Sequence, residues 1–106
     1  MEAEDKSVCE ELILIVCEMT VAEEVVDHLR EVGVTHFTLH HGAFGVGETG
    51  RHEGTPIWPG ENSIIFCGIP EEQVEGVVRT LKEMHNSRPN HILGIKIFAL
   101  PVRELL

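Results

Sequence analysis

The chain has 106 residues, of which 42% are hydrophobic and 25% charged, and its formal net charge is −10. This length fits one domain, which we expect to span residues 1–106. The acidity argues against nucleic acids and anionic membranes as partners, because their phosphates would be repelled rather than neutralised. No apolar run is long enough to span a membrane and no secretory signal is visible, so we expect a cytoplasmic protein without membrane insertion.

The first third of the chain predicts a strand followed by a helix. Residues 1–7 are polar and acidic, and we expect them to be disordered. Residues 11–17 are largely aliphatic without polar alternation, which is typical of a strand buried on both faces. Thr20 and Glu23 match a capping box, and Gly33 is a typical helix end. Between them apolar residues recur at helical spacing: Val21, Val25, Val26, Leu29 and Val32.

A long glycine-rich stretch is the most unusual part of the sequence. It follows residues 34–41, whose alternation predicts a second strand with His36 and His40 on one face. Residues 42–62 contain six glycines and two prolines, a composition that disfavours helix and strand. A loop of this length in a compact domain is functional or disordered. We interpret it as functional because it carries charged and aromatic side chains: Glu48, Arg51, His52, Glu53 and Trp58.

The second half of the chain predicts another strand, helix and strand. Residues 63–69 form an apolar segment, and Pro70 suits the first position of a helix. The apolar stripe of that helix consists of Val74, Val77, Val78, Leu81 and Met84. Residues 92–100 predict the fourth strand. The order βαββαβ indicates an α+β, ferredoxin-like sandwich: a four-stranded antiparallel sheet, two helices on one face and a long β2–β3 loop.

Two helices cover only one side of such a sheet, yet strands one, three and four are apolar on both sides. The uncovered face would expose about ten apolar side chains, each worth roughly 1.5–3 kcal/mol when buried. A patch of this size is unusual on a monomer. We therefore expect a closed homo-oligomer that buries this face.

The predicted topology also brings scattered basic side chains to one end of the sheet. Strands one and two end there and strand four begins there, which would gather His40, His41, Arg51, His52, His85, Arg88 and His91. Neutral imidazole is a common ligand of zinc, copper and nickel. His40, His41 and His52 are therefore candidate ligands for a divalent metal.

The sequence contains none of the common catalytic motifs. GxSxG, HExxH and the P-loop pattern GxxxxGK[ST] are all absent. The three cysteines, Cys9, Cys17 and Cys67, form no CxxC pair, and we expect free thiols, of which Cys17 and Cys67 are inert packing groups. We therefore expect no catalytic residues and no enzymatic activity.

Two segments carry a family resemblance, GVTHFTLHHGAFGVG (residues 33–47) and GIKIFALPVREL (residues 94–105). The first is similar to the second strand and T-loop base, and the second to the segment after the B-loop, of the PII signalling proteins (nitrogen regulatory protein PII superfamily). The resemblance implies a homotrimer that binds a small effector in clefts between subunits. It also implies signalling to a regulated partner protein through a T-loop-like segment, residues 42–62.

Carried onto this sequence, the resemblance places Gly45 at the T-loop base and makes Lys96 the lysine that reaches nucleotide phosphates. Gly47 stands where the family has glutamine, and the absence of tyrosine excludes tyrosine uridylylation. The implied ligand is an adenine nucleotide (ATP, ADP or AMP). Arg88 and Arg103 are further phosphate-binding candidates, and Trp58 is a candidate for stacking on the base. The alternative is a trimeric divalent-metal-binding protein of the CutA-like type, with the same architecture.

Overall fold

A computed structural model describes residues 10–43, 62–87 and 94–106. Four strands form one antiparallel sheet in the order β2-β3-β1-β4: β1 (Glu11–Glu18), β2 (Thr38–Ala43), β3 (Asn62–Ile69) and β4 (Lys96–Pro101). The two helices are α1 (Ala22–Glu31) and α2 (Val74–Asn86). This arrangement is the predicted ferredoxin-like α+β sandwich. The expectations for residues 1–7 and for residues 44–61 of the predicted loop lie outside the described residues. The predicted loop bounds are wrong at both ends, because residues 42 and 43 belong to β2 and residue 62 to β3.

The helices cover one face of the sheet, where the hydrophobic core lies. Ile13, Ile15 and Ile65 on the strands are completely buried there. The helices contribute the predicted stripes, whose fully or almost fully buried members are Val25, Leu29, Val77, Leu81 and Met84. Apolar residues at helical spacing therefore meet apolar residues at every second strand position, and the polar residues Ser63 and Thr80 are buried beside them.

The other face of the sheet, here called the open face, is not covered by either helix. Its apolar residues are Leu12, Leu14, Val16, Ile64, Phe66, Phe98 and Leu100. The three largest on the β3 and β4 side keep 38%, 51% and 46% of their surface exposed: Phe66, Phe98 and Leu100. The predicted apolar character of both faces is therefore confirmed for β1, β3 and β4, since Ile97 of β4 packs against the core.

Both α-helices start differently from the prediction. A 3₁₀ turn precedes each one, Met19–Val21 before α1 and Glu71–Gln73 before α2. The capping-box prediction is wrong, because the Thr20 hydroxyl donates to the Glu18 carboxylate at 3.0 Å and no side chain caps α1. Pro70 stands before the second 3₁₀ turn rather than at the first α-helical position.

The predicted end of α1 at Gly33 is confirmed. Gly33 has a φ of +97°, which L-residues rarely adopt, and its N–H donates to the Arg30 carbonyl at 3.0 Å.

Two strands begin later than the sequence pattern suggests. β2 starts at Thr38 instead of residue 34, so residues 34–37 precede the sheet. The prediction that His36 and His40 share a strand face is therefore wrong. β4 starts at Lys96, and residues 94–95 are not part of it. None of the helices within the described ranges has the length and apolar character needed to cross a bilayer.

Candidate functional site

The late start of β2 leaves a notch at one edge of the sheet. β2 pairs with β3 only as far as Thr38, which lies opposite Phe66. The next residues of β3, Cys67 and Gly68, therefore have no partner in β2. A cavity of about 520 Å³ occupies this notch, and its walls are formed by Leu12, Arg30, Thr35, His36, Phe37, Thr38, Phe66, Cys67 and Gly68.

The cavity combines apolar surface with a few polar groups. Phe37 and Phe66 contribute aromatic rings, and the Arg30 guanidinium carbon lies 5.6 Å from the centroid of the Phe37 ring. The Thr35 hydroxyl and the Nδ1 atom of His36 share a hydrogen bond of 3.0 Å. Small-molecule sites are typically concave and largely apolar, with a few polar groups that orient the ligand. This notch has a mixed polar and apolar lining, and it is shallow and largely open to solvent.

The opposite end of the sheet gathers the strand ends, as predicted. Glu18 at the end of β1 lies opposite Asn62 at the start of β3, and Asn62 lies opposite Ala43. The pairing register shifts between His41 and Ala43, where Gly42 has a φ of +85°. Both ends of the 44–61 segment are therefore connected to the sheet at this end, one to β2 and the other to β3.

Polar side chains are buried where these strands meet. Ser63 is fully buried, and Glu18 and Asn62 are 7% and 8% exposed. The Ser63 hydroxyl and the Nδ1 atom of His41 are 2.6 Å apart and form a hydrogen bond. This bond joins β2 to β3 on the covered face, directly before the 44–61 segment begins.

The candidate metal ligands are not brought together by the described residues. His41 lies opposite Ser63 on the covered face, whereas His40 lies opposite Ile64 on the open face. His52 is outside the described residues. Within residues 10–43, 62–87 and 94–106, no group of three or more His, Cys, Asp or Glu side chains is placed to hold a metal ion.

The candidate nucleotide-binding residues are separated within one chain. Lys96 is exposed at the start of β4, and Arg103 is exposed beyond the other end of that strand. Gly45, Gly47, Trp58 and Arg88 lie outside the described residues. Of the predicted set, the structure therefore locates only Lys96 and Arg103, and it places them at opposite ends of one strand.

Lys96 is also distant from the cavity. It belongs to a row across the open face in which His40, Ile64, Val16 and Lys96 are neighbours in register. β4 and β2 form the two edges of the sheet, and three strand spacings separate them, or about 14 Å. Lys96 is therefore not among the residues that line the cavity, although one of those residues, Leu12, belongs to β1, the strand next to β4.

The two described cysteines are unsuited to reaction. Burial raises the pKa of the Cys17 thiol to about 11, with a further contribution from the Glu18 carboxylate. Burial alone raises the pKa of the Cys67 thiol to about 11. A nucleophilic cysteine needs the thiolate form, which these environments disfavour. Both are packing groups, as the sequence predicted, and both are free thiols.

Sequence reasoning missed the residues that form the cavity, above all Arg30, Phe37 and Phe66. Arg30 follows the last buried residue of α1 and has the sequence context of an ordinary surface residue. Phe37 fits the alternation of a strand, so the sequence predicts it to be part of β2. The available signal was Gly68, a glycine in an otherwise apolar strand. A glycine in a strand often marks a place where a ligand or another backbone segment comes close. That signal alone does not identify the opposing residues.

Comparison with known proteins gives a family match over almost the whole chain. The model of the family described as nitrogen regulatory protein P-II matches residues 10–106. No curated protein sequence matches the chain.

Several solved structures share the fold. CPII from Thiomonas intermedia K12, bound to ADP and bicarbonate, is 20% identical over 92% of this chain and 93% of its own, with a TM-score of 0.64. A second CPII structure, bound to ADP, AMP and bicarbonate, is 17% identical over 94% and 100%, with a TM-score of 0.62. A PII-like signalling protein from Thermus thermophilus is 20% identical over 90% and 91%, with a TM-score of 0.59. With the family match over residues 10–106, the chain belongs to the nitrogen regulatory protein P-II family.

Proposed function

We propose that this protein is a PII-like homotrimer that binds an adenine nucleotide in clefts between subunits and signals through residues 42–62. It acts as a cytoplasmic, single-domain, non-enzymatic regulator whose small-molecule effector controls a partner protein. Family membership supports the signalling role. The solved CPII structures bound to ADP, AMP and bicarbonate suggest the ligand class.

The observation that carries the proposal is the separation of the cavity from Lys96. The cavity lies beside β2 at one edge of the sheet, and Lys96 begins β4 at the other edge. An adenine nucleotide needs an apolar place for its base and a cation for its phosphates. In this proposal the base enters the cavity of one subunit, and the phosphates meet the Lys96 ammonium group of the next.

The open face supports assembly independently of any ligand. Its seven apolar residues lie on the side of the sheet that the helices leave uncovered. Burying an exposed side chain of this size contributes roughly 1.5–3 kcal/mol, so the exposed residues Phe66, Phe98 and Leu100 offer the largest gain against the entropy lost on association. A closed ring of three subunits would place all copies of this face in one interior.

The 42–62 segment supports the signalling part. Ordering a glycine-rich chain costs much conformational entropy, so a ligand that contacts it can shift its population of states. Both ends of the segment are attached where Glu18, Asn62 and Ser63 are buried. Gly45, Gly47 and Trp58 are the residues in it that we assign to ligand contact, with Arg88 and Arg103 as further cations.

Calorimetric titration of ATP, ADP and AMP into the purified protein tests the proposal, with bicarbonate present and absent. We expect saturable binding at one site per subunit, and a loss of at least tenfold in Lys96→Ala, because a charge-assisted contact contributes about 1.5–3 kcal/mol. Lys82→Ala, which removes an exposed lysine of α2, is the matched control and should bind normally. Absence of binding in the unmodified protein, or unchanged binding in Lys96→Ala, would contradict the proposal.

A further inference from the structure

Among the described residues, Arg30 is the one permanently charged cation that lines the cavity at the β2 notch. Its guanidinium carbon lies 5.6 Å from the centroid of the Phe37 ring, a typical cation–π distance. Phe37 is itself half-buried and packs against the hydrophobic core. The guanidinium is therefore positioned by a ring that the core holds in place.

Within the described ranges, Arg30 has no carboxylate partner. The contact between His28 and Glu31 on α1, at 3.8 Å, does not involve Arg30. A guanidinium carries five N–H donors, and contact with an aromatic ring does not consume them as hydrogen bonds do. Arg30 therefore presents unused donors at the wall of a cavity in a chain whose net charge is −10.

The other polar groups of the cavity are of a different kind. Thr35, Thr38 and His36 carry hydroxyl or imidazole groups that can accept as well as donate. A planar heterocycle with an acceptor nitrogen and an amino group could accept a hydrogen bond from Arg30 and donate one to a threonine hydroxyl or the imidazole. Adenine has this pattern on each of its two polar edges, where the 6-amino group is next to N1 on one side and N7 on the other.

We propose that Arg30, held against Phe37, is the specificity-determining residue of this cavity and donates a hydrogen bond to a ring nitrogen of a bound purine. The inference rests on the proposed nucleotide function and names the group that reads the base. In this assignment the threonine hydroxyls accept from the 6-amino group, and Phe66 supplies apolar contact to the ring. The contact with the Phe37 ring favours this position of the exposed Arg30 side chain before the ligand arrives, which lowers the entropy lost on binding.

Deaza analogues of the nucleotide provide the direct test. ADP, 7-deaza-ADP and 1-deaza-ADP are titrated by calorimetry into the unmodified protein and into Arg30→Ala. We expect the unmodified protein to bind one of the two analogues about tenfold or more weakly than ADP, because one charge-assisted hydrogen bond is lost. Arg30→Ala should bind ADP about tenfold more weakly and should bind all three nucleotides with similar affinity.

Two further variants separate a direct contact from a structural role. Arg79→Ala removes an exposed arginine of α2, which is not among the residues lining this cavity, and should keep the full discrimination between ADP and its analogues. Phe37→Leu keeps an apolar residue but removes the ring, and should reduce the discrimination to about threefold because the guanidinium is no longer held. Circular dichroism confirms that each variant is folded.

The outcomes distinguish the two proposals. Equal binding of all three nucleotides by the unmodified protein, or full discrimination in a folded Arg30→Ala variant, would overturn the role of Arg30 and leave the nucleotide function standing. Failure of the unmodified protein to bind any adenine nucleotide would overturn both.

Discussion

The two faces of the sheet are built from similar apolar residues but differ in how far those residues are buried. On β1, Ile13 and Ile15 point to the helices and are completely buried, whereas the alternating residues Leu14 and Val16 point to the open face and are only half-buried. The hydrophobic character of each residue is the same, so the side of the strand decides what it contributes. The covered face stabilises the chain itself, and the open face is available for contact with another copy.

The largest effect should follow from truncating a buried side chain on the covered face. We expect Ile15→Ala to lower the free energy of unfolding by about 2–5 kcal/mol, because the lost burial is joined by the cost of an unfilled space. Urea denaturation followed by circular dichroism measures the change. Leu14→Ala on the open face is the matched control. An equal loss in both variants, independent of protein concentration, would contradict the assigned difference between the faces.

A charge on the open face should break assembly without unfolding the chain. We expect Phe98→Asp to convert the proposed trimer to monomers in sedimentation velocity, because a carboxylate would have to be desolvated among apolar residues. Asn86→Asp adds the same charge to an exposed position of α2 and should remain trimeric. A monomeric unmodified protein, or a trimeric Phe98→Asp, would show that the open face is not the subunit interface.

Alkaline pH should weaken the covered face through its two thiols. The pKa values of Cys17 and Cys67 are about 11 in the folded chain, above the roughly 8.5 of an unfolded cysteine. The folded state therefore retains these protons more strongly, and the resulting stability is full below pH about 8.5 and declines as the pH rises to about 11. Urea denaturation across this range measures the decline. Cys17→Ala/Cys67→Ala should show a shallower slope, and an identical slope would exclude the thiols as its source.

The smallest effect concerns the hydrogen bond between Ser63 and His41. We expect Ser63→Ala to cost about 0.5–1.5 kcal/mol, the usual net value of such a bond. A double-mutant cycle with His41→Ala isolates the pair, and the two single losses should sum to more than the loss in the double variant. Strict additivity would mean that the hydrogen bond contributes nothing.

The fold was predictable because its signals are local and redundant. Aliphatic runs marked β1 and β3, helical spacing marked Val25, Leu29, Leu81 and Met84, and the order of elements left few topologies. The failures were also local. The alternation of residues 34–37 is typical of a strand. No sequence pattern indicates that β3 extends beyond the start of β2, which leaves these residues outside the sheet.

The candidate site was less predictable for the same reason. The cavity exists because residues 34–37 are not in the sheet, so the segment where the strand prediction failed is the segment that forms its wall. Its composition depends on Arg30 and Phe66, which are far apart in sequence and meet only through the fold. Lys96 was found through a family resemblance, and its distance from the cavity could be read only from the strand order.

Gly42 has a consequence for the chemistry of the chain's exit from the sheet. Its φ of +85° is unfavourable for an L-amino acid, yet no described atom lies within 4 Å of the position that a Cβ atom would occupy. Handedness rather than crowding therefore selects glycine at this position, at a cost of about 1 kcal/mol for L-alanine. D-alanine, the mirror image of L-alanine, prefers positive φ and could be introduced here by chemical ligation. It would favour the observed backbone conformation at the end of β2 and lower the conformational entropy of the unfolded chain.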